Sequence, residues 1–126
     1  MIAVDTSALM AIILNEPEAD VCHTRLAENR LLISAGTIAE ALIVSTGRRL
    51  QNEMNRLLEA TKFQIIDVTP ETARRIGNIY AKWGKGIHPA GLNFGDCFAY
   101  DVAKEHGCPL LYVGKDFAWT DIVSAL

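Results

Sequence analysis

LNFGDCFAYDVAKEHGCPLLYVGKD, residues 92 to 116, is the stretch on which the reading of this chain turns. It opens as an amphipathic helix, turns at Gly107, and continues into PLLYV, a short aliphatic run of strand type. Two acids mark its ends: Asp96 in the first turn of the helix and Asp116 just past the strand. A carboxylate in a first helical turn is locally favourable, because free backbone N–H groups and the positive end of the helix dipole meet it there. A functional role for Asp96 therefore has to rest on more than its position.

Working outward, three more segments share the character of PLLYV: IAV at 2 to 4, LLIS at 31 to 34 and QIIDV at 64 to 68. Stretches with helical periodicity separate them, and this alternation marks an α/β domain with a mainly parallel central sheet flanked by helices. A helix begins near Ser7. Another carries Pro17 in its first turn between Glu16 and Glu18 and runs to about Asn29. Thr37 is placed to cap a third through Ser45 or Thr46, with Glu40 as its capping-box partner and Gly47 closing it. Gln51 to Ala60 forms a fourth, and Thr69, Pro70 and Glu71 open a fifth that ends near Trp83 and Gly84. GKGIHPAGLN, with three of the nine glycines, is a loop leading into the opening stretch.

With 126 residues, half of them hydrophobic, the chain suffices for one core, so residues 1–126 read as a single domain. The N-terminus MIAVDTSALMAIILNEP has no basic segment before its apolar run, and Asp5 interrupts that run. Neither a signal peptide nor a membrane span fits, and a cytoplasmic location is expected. Cys22, Cys97 and Cys108 are odd in number and lack CxxC spacing, which argues for reduced, packed thiols over a disulfide framework or a zinc site. A net charge of -3 gives no general support for nucleic acid. Yet with four of the 15 acids set aside as ligands, 11 remain against 12 bases, so charge does not exclude it.

In parallel α/β sheets, ligands bind beyond the carboxyl ends of the strands. Asp5 follows IAV, Asp116 follows PLLYV, Glu40 lies one turn into the helix after LLIS, and Asp96 opens the helix before PLLYV. Each has a local explanation: Glu40 as a capping-box acid, Asp96 as a helix-terminus acid, Asp116 as a turn residue in GKDF, and Asp5 as a helix cap. Together they would repel unless a cation compensates them. Oxygen donors without paired His or Cys select a hard ion, Mg²⁺ or Mn²⁺, and such an ion suits phosphodiester hydrolysis.

MIAVDTSALMAIILNEPEA with Asp5, SAGTIAEALIV with Glu40, and HPAGLNFGDCFAYDVAKEHGCPLLYVGKDFAWTDI with Asp96 and Asp116 together resemble a PIN-domain ribonuclease of the VapC toxin type. The similarity runs from Met1 to about Ile122; the third block is specific, whereas DTSAL alone is weak. The resemblance implies a Mg²⁺- or Mn²⁺-dependent endoribonuclease, dimeric, and held inactive by a VapB-like antitoxin. By that analogy Asp5 and Asp96 are the principal metal ligands, Glu40 holds metal or its water, Asp116 completes the acidic pocket, and Ser7 supports Asp5 or substrate through its hydroxyl. Two departures stand out. Asp101 replaces a small apolar residue frequent in relatives; it lies roughly 140° around the helix from Asp96 and about 7.5 Å along it, so it reads as a surface acid facing Lys104. Lys115 stands where a neutral or acidic residue is frequent, placed to relieve repulsion around Asp116 or to contact phosphate.

Arg48 and Arg49 after the Glu40 helix, with Lys82, Lys85 and His88 around the loop before Asp96, are candidate RNA contacts at the pocket's end of the molecule. Trp83 and Trp119 are candidate anchors for a partner, whereas His23 and His106 carry no assigned chemistry. MAIILNEP and ETARRIGNIYAKW hold apolar residues that suit a dimer interface or a groove for an antitoxin helix. Two rivals remain: a catalytically silent PIN-like nucleic-acid-binding module, and a receiver-type phosphoacceptor domain with Asp67 as acceptor. A nuclease acting on DNA is also open.

Overall fold

The computed structural model describes residues 1–126. Four parallel strands form the sheet: β1 (Ile2–Val4), β2 (Leu31–Ser34), β3 (Phe63–Ile66) and β4 (Leu110–Leu111), in the order β3-β2-β1-β4. Six helices join them: α1 (Thr6–Ile13), α2 (Ala19–Glu28), α3 (Ala35–Gly47), α4 (Gln51–Ala60), α5 (Pro70–Trp83) and α6 (Phe94–Glu105), with a short 3₁₀ turn at Phe117–Trp119. The sequence expectation of a mainly parallel sheet flanked by helices holds, and the reason lies in the strands themselves. Every residue of β1 and β2 is buried, as parallel strands covered on both faces require.

Alternation along β1 splits the core in two. Ile2 and Val4 join Leu9, Leu26, Ile33, Met54 and Leu111 under α1 to α4, while Ala3 joins Leu32, Ile76, Phe98, Val102 and Leu110 under α5 and α6. β3 lies at the sheet edge and is half exposed, so Asp67 just beyond it is not at the end of a central strand as a phosphoacceptor would need. No helix is long and apolar enough to cross a membrane.

Several boundaries differ from the sequence reading. β3 starts at Phe63 and stops at Ile66, because Thr69 already caps α5 through a reciprocal capping box with Thr72. β4 shrinks to two residues, since the Val113 amide leaves the ladder and donates to the Ser7 hydroxyl at 2.9 Å. Pro17 precedes α2 rather than lying within its first turn. The N-cap of α3 is Ser34, whose side chain accepts from the Gly36 amide; Thr37 is buried within the first turn, its hydroxyl unpartnered, and Glu40 caps nothing. α3 does end at Gly47, but Arg49, with φ 58, takes the left-handed conformation.

Asp101 is a further correction. It is buried, and Arg75 of α5 grips it with Nε on Oδ1 at 2.6 Å and Nη2 on Oδ2 at 3.1 Å. Lys104 instead pairs with Asp121 at 2.9 Å. The helix arithmetic that separates Asp101 from Asp96 holds; what it could not see is α5 lying across that face.

Candidate active site

The strand order places a topological switch between β1 and β4, where a ligand crevice opens at the carboxyl ends. Asp5 stands at the end of β1. It caps α1, as its local reading allows, but uses one oxygen to do so: Oδ2 accepts from the Ser7 amide at 3.0 Å and from the Ser7 hydroxyl at 2.7 Å. Oδ1 is buried with no hydrogen-bond partner. Since the Ser7 hydroxyl also accepts from Val113, one side chain fixes the Asp5 carboxylate and the exit of β4 together.

α6 runs back along the sheet, so its N-terminus sits at the same edge. Asn93 caps it, and the box is reciprocal: the Asp96 amide donates to Asn93 Oδ1 and the Asn93 amide to Asp96 Oδ2, both at 2.9 Å. Local stability thus orients Asp96. Glu40 is positioned by Thr6, whose hydroxyl donates to Oε1 at 2.6 Å. Gly95 is what admits it, because a Cβ there would collide with the Glu40 carboxylate. Asp116 is exposed and makes no cap bond at the start of the 3₁₀ turn.

The electrostatics tie these acids into one group. Burial pushes Asp5 up to about 6 against the Ser7 hydrogen bonds, with the charge on Glu40 adding to the rise. Asp96 is pushed up to about 7, again chiefly by burial and against its Asn93 hydrogen bond, and the charges on Asp5, Glu40 and Asp116 all raise it further. No three side chains of the His, Cys, Asp or Glu type stand close enough to enclose a cation unaided. The donor set nevertheless fits a Mg²⁺-like ion, which is bound through one or two carboxylates and keeps much of its water, and the unpartnered Asp5 Oδ1 is a ready oxygen ligand.

The expected basic residues do not converge to the same degree. Lys85 lines a cavity beside Asn93 and Phe94, and Lys115 adjoins Asp116. Lys82 lies over the Trp83 ring at 4.9 Å. His88 is committed locally, its Nδ1 accepting from the Ala90 amide and its ring edge-on to Trp83. Arg48 and Arg49 lie beyond the end of α3, Arg48 about 12 Å along the axis from Glu40. Trp83 donates to the Tyr100 hydroxyl and is part of the packing, whereas Trp119 is exposed. Sequence reasoning missed Thr6, Asn93 and Gly95. The Asn93-x-x-Asp96 spacing carries a capping signal; nothing local announces Thr6 or Gly95, which act on a residue of another helix.

A four-stranded parallel sheet with acids gathered at its switch point defines the class, and residues 2–123 match the family model described as PIN domain. A ribonuclease VapC of Mycolicibacterium smegmatis is 34% identical over 125 residues, covering 96% of this chain and 97% of the relative. The chain belongs to the PIN-domain family, among its VapC ribonucleases. Solved structures share the fold: VapC20 of Mycobacterium tuberculosis, described as a Sarcin-Ricin loop cleaving toxin, superposes with a TM-score of 0.80 at 16% identity over 99% of this chain and 98% of that one. A toxin-antitoxin complex from Klebsiella pneumoniae gives 0.73 at 20% identity over 99% and 97%.

Proposed function

We propose that this chain is the toxin of a VapBC-type pair: an endoribonuclease that hydrolyses RNA phosphodiester bonds with Mg²⁺ or Mn²⁺, acts as a homodimer and is silenced by a VapB-like antitoxin. The observation that carries the reading is the gathering of acids at the switch point, where Asp5 keeps a buried, unpartnered oxygen and Asp96, raised chiefly by burial, also meets the charges of Asp5, Glu40 and Asp116. In this reading Asp5 and Asp96 hold the cation, Asp5 through the oxygen that Ser7 leaves free. When bound, the cation lowers the pKa of an attacking water and neutralises charge growing on the phosphate. Glu40, steadied by Thr6, orients that water, and Asp116 adds negative charge at the open side of the pocket. Lys85, which shares a cavity with Asn93 and Phe94, and Lys115, next to Asp116, contact flanking phosphates; Arg48 and Arg49, beyond the end of α3, reach only a longer RNA. Antitoxin binding is supported by the family and by the complex whose fold this chain shares.

The test is incubation of purified protein with end-labelled single-stranded and stem-loop RNAs in Mg²⁺, Mn²⁺ or EDTA, beside Asp96→Asn. Metal-dependent cutting that vanishes in the variant is the expected result. No cutting together with no metal-induced rise in melting temperature overturns the reading in favour of a catalytically silent module. Co-expression with a co-encoded small protein tests the partner, which should co-purify in mild salt and suppress cutting.

A further inference from the structure

Phe94, the first residue of α6, is an aromatic side chain left 71% exposed two positions before a buried carboxylate. Its ring is held from below. It meets Phe98 edge-on at 5.0 Å, with 86° between the planes, and Phe98 is itself buried over Gly36, where even a Cβ would strike its ring.

This fixed ring forms a ridge between two cavities. One, of about 240 Å³, includes Gly36, Glu40, Ile43 and Gly95 in its lining; the other, of about 520 Å³, includes Tyr80, Lys85 and Asn93. A chain crossing the ridge leaves the Glu40 carboxylate on one side and meets the Lys85 ammonium on the other. That sequence of surfaces matches a polyanion with flat apolar side groups. Unpaired RNA bases are held on aromatic faces while basic groups track the phosphates.

We infer that Phe94 is a stacking platform for one unstacked nucleobase next to the cleaved bond, with Lys85 against the adjoining phosphate. The inference rests on the proposed action on RNA. It adds Phe94 as a positioning residue that makes single-stranded, splayed RNA the preferred substrate form.

The test uses Asp96→Asn protein, so that binding is read without cutting, and short single-stranded RNAs with one 2-aminopurine stepped through every position. Quenching on binding is expected at one position. Phe94→Ala should abolish it and weaken affinity roughly 5- to 150-fold. Phe94→Trp should retain both, while Phe94→Leu, which keeps apolar bulk against Phe98, should behave as Phe94→Ala. An abasic nucleotide at the responding position should weaken the Phe94 protein but not Phe94→Ala.

Quenching at no position, or Phe94→Leu binding as tightly as Phe94, overturns the platform; the latter marks a surface for an apolar protein partner instead. The two readings separate cleanly. If the unsubstituted chain cuts RNA and Phe94→Ala leaves KM unchanged, the nuclease stands and the platform falls. If it cuts no RNA yet shows Phe94-dependent quenching, the platform stands alone.

Discussion

Asp5 and Asp96 are each held by hydrogen bonds that favour their charge, yet burial, aided by the charge of Glu40 on both, leaves them raised, to about 6 and about 7. An acid raised on folding binds more protons in the folded state than in the unfolded one between the two pKa values. Its contribution to stability is therefore lost as pH rises through that window. In EDTA the melting temperature should fall between about pH 4 and pH 7. Asp96→Asn, which keeps the acceptor for the Asn93 amide, should flatten that slope and melt about 5 °C higher than the unsubstituted chain at pH 8. A scan of melting temperature against pH for both proteins decides it; a slope unchanged in the variant contradicts the account. A Cβ at Gly95 meets only the far end of the flexible Glu40 side chain, so Gly95→Ala should fold with little change in melting temperature while evicting that carboxylate. RNA cleavage should drop to the level of Glu40→Ala, and the double variant should lose nothing more. The four acids were legible in the sequence because Asp5 and Asp116 follow strands, Asp96 opens a helix and Glu40 lies one turn into the helix after β2. Their supports were not, since Thr6 and Gly95 act across 34 and 55 positions of chain on Glu40.

At the scale of elements, α5 and α6 are clamped by Arg75 and Asp101. Bidentate Arg–carboxylate geometry is strong, and the pair is asymmetric: Asp101 is buried, while the Arg75 side chain is 37% exposed. Removing the arginine strands a buried charge, whereas removing both groups does not. Arg75→Met should cost about 3 kcal/mol in urea unfolding, and Arg75→Met with Asp101→Leu should recover most of it. Equal losses in both would refute the clamp. Helix identities were readable from periodicity and from Thr69-Pro70, because those signals are local. The cap of α3 was misread because Thr37 and Glu40 fit a capping-box spacing while Ser34, three residues earlier, makes the actual bond. Asp101 was misread for a related reason: a helix wheel gives angles but not what packs against them.

For the molecule as a whole, the parallel sheet followed from the alternation of segments, but its order did not, because pairing is set by burial of both faces rather than by any one strand. The C-terminal residues were also silent in the sequence. They guard the outer edge of β4: the Leu110 amide donates to Val123 O, the Ala125 amide donates to Leu110 O, and Arg25 Nε reaches Ala125 O. Deleting residues 124–126 removes two of these bonds and bares a strand edge, so it should cost about 2 kcal/mol and promote self-association, readable by denaturant melts and light scattering. Unchanged stability would show the tail to be incidental.

The bond from the Val113 amide to the Ser7 hydroxyl joins residues 106 apart, and it anchors the hydroxyl that donates to Asp5. A growing chain exposes Asp5 first, then Glu40, then Asp96, long before it contains Val113. Any product released short of that point carries three of the four acids, with Asp5 held by Ser7 alone and β1 without its β4 neighbour. The pocket thus closes only when synthesis has passed Val113, and a shorter product lacks both its fourth acid and one of the two strands that flank β1.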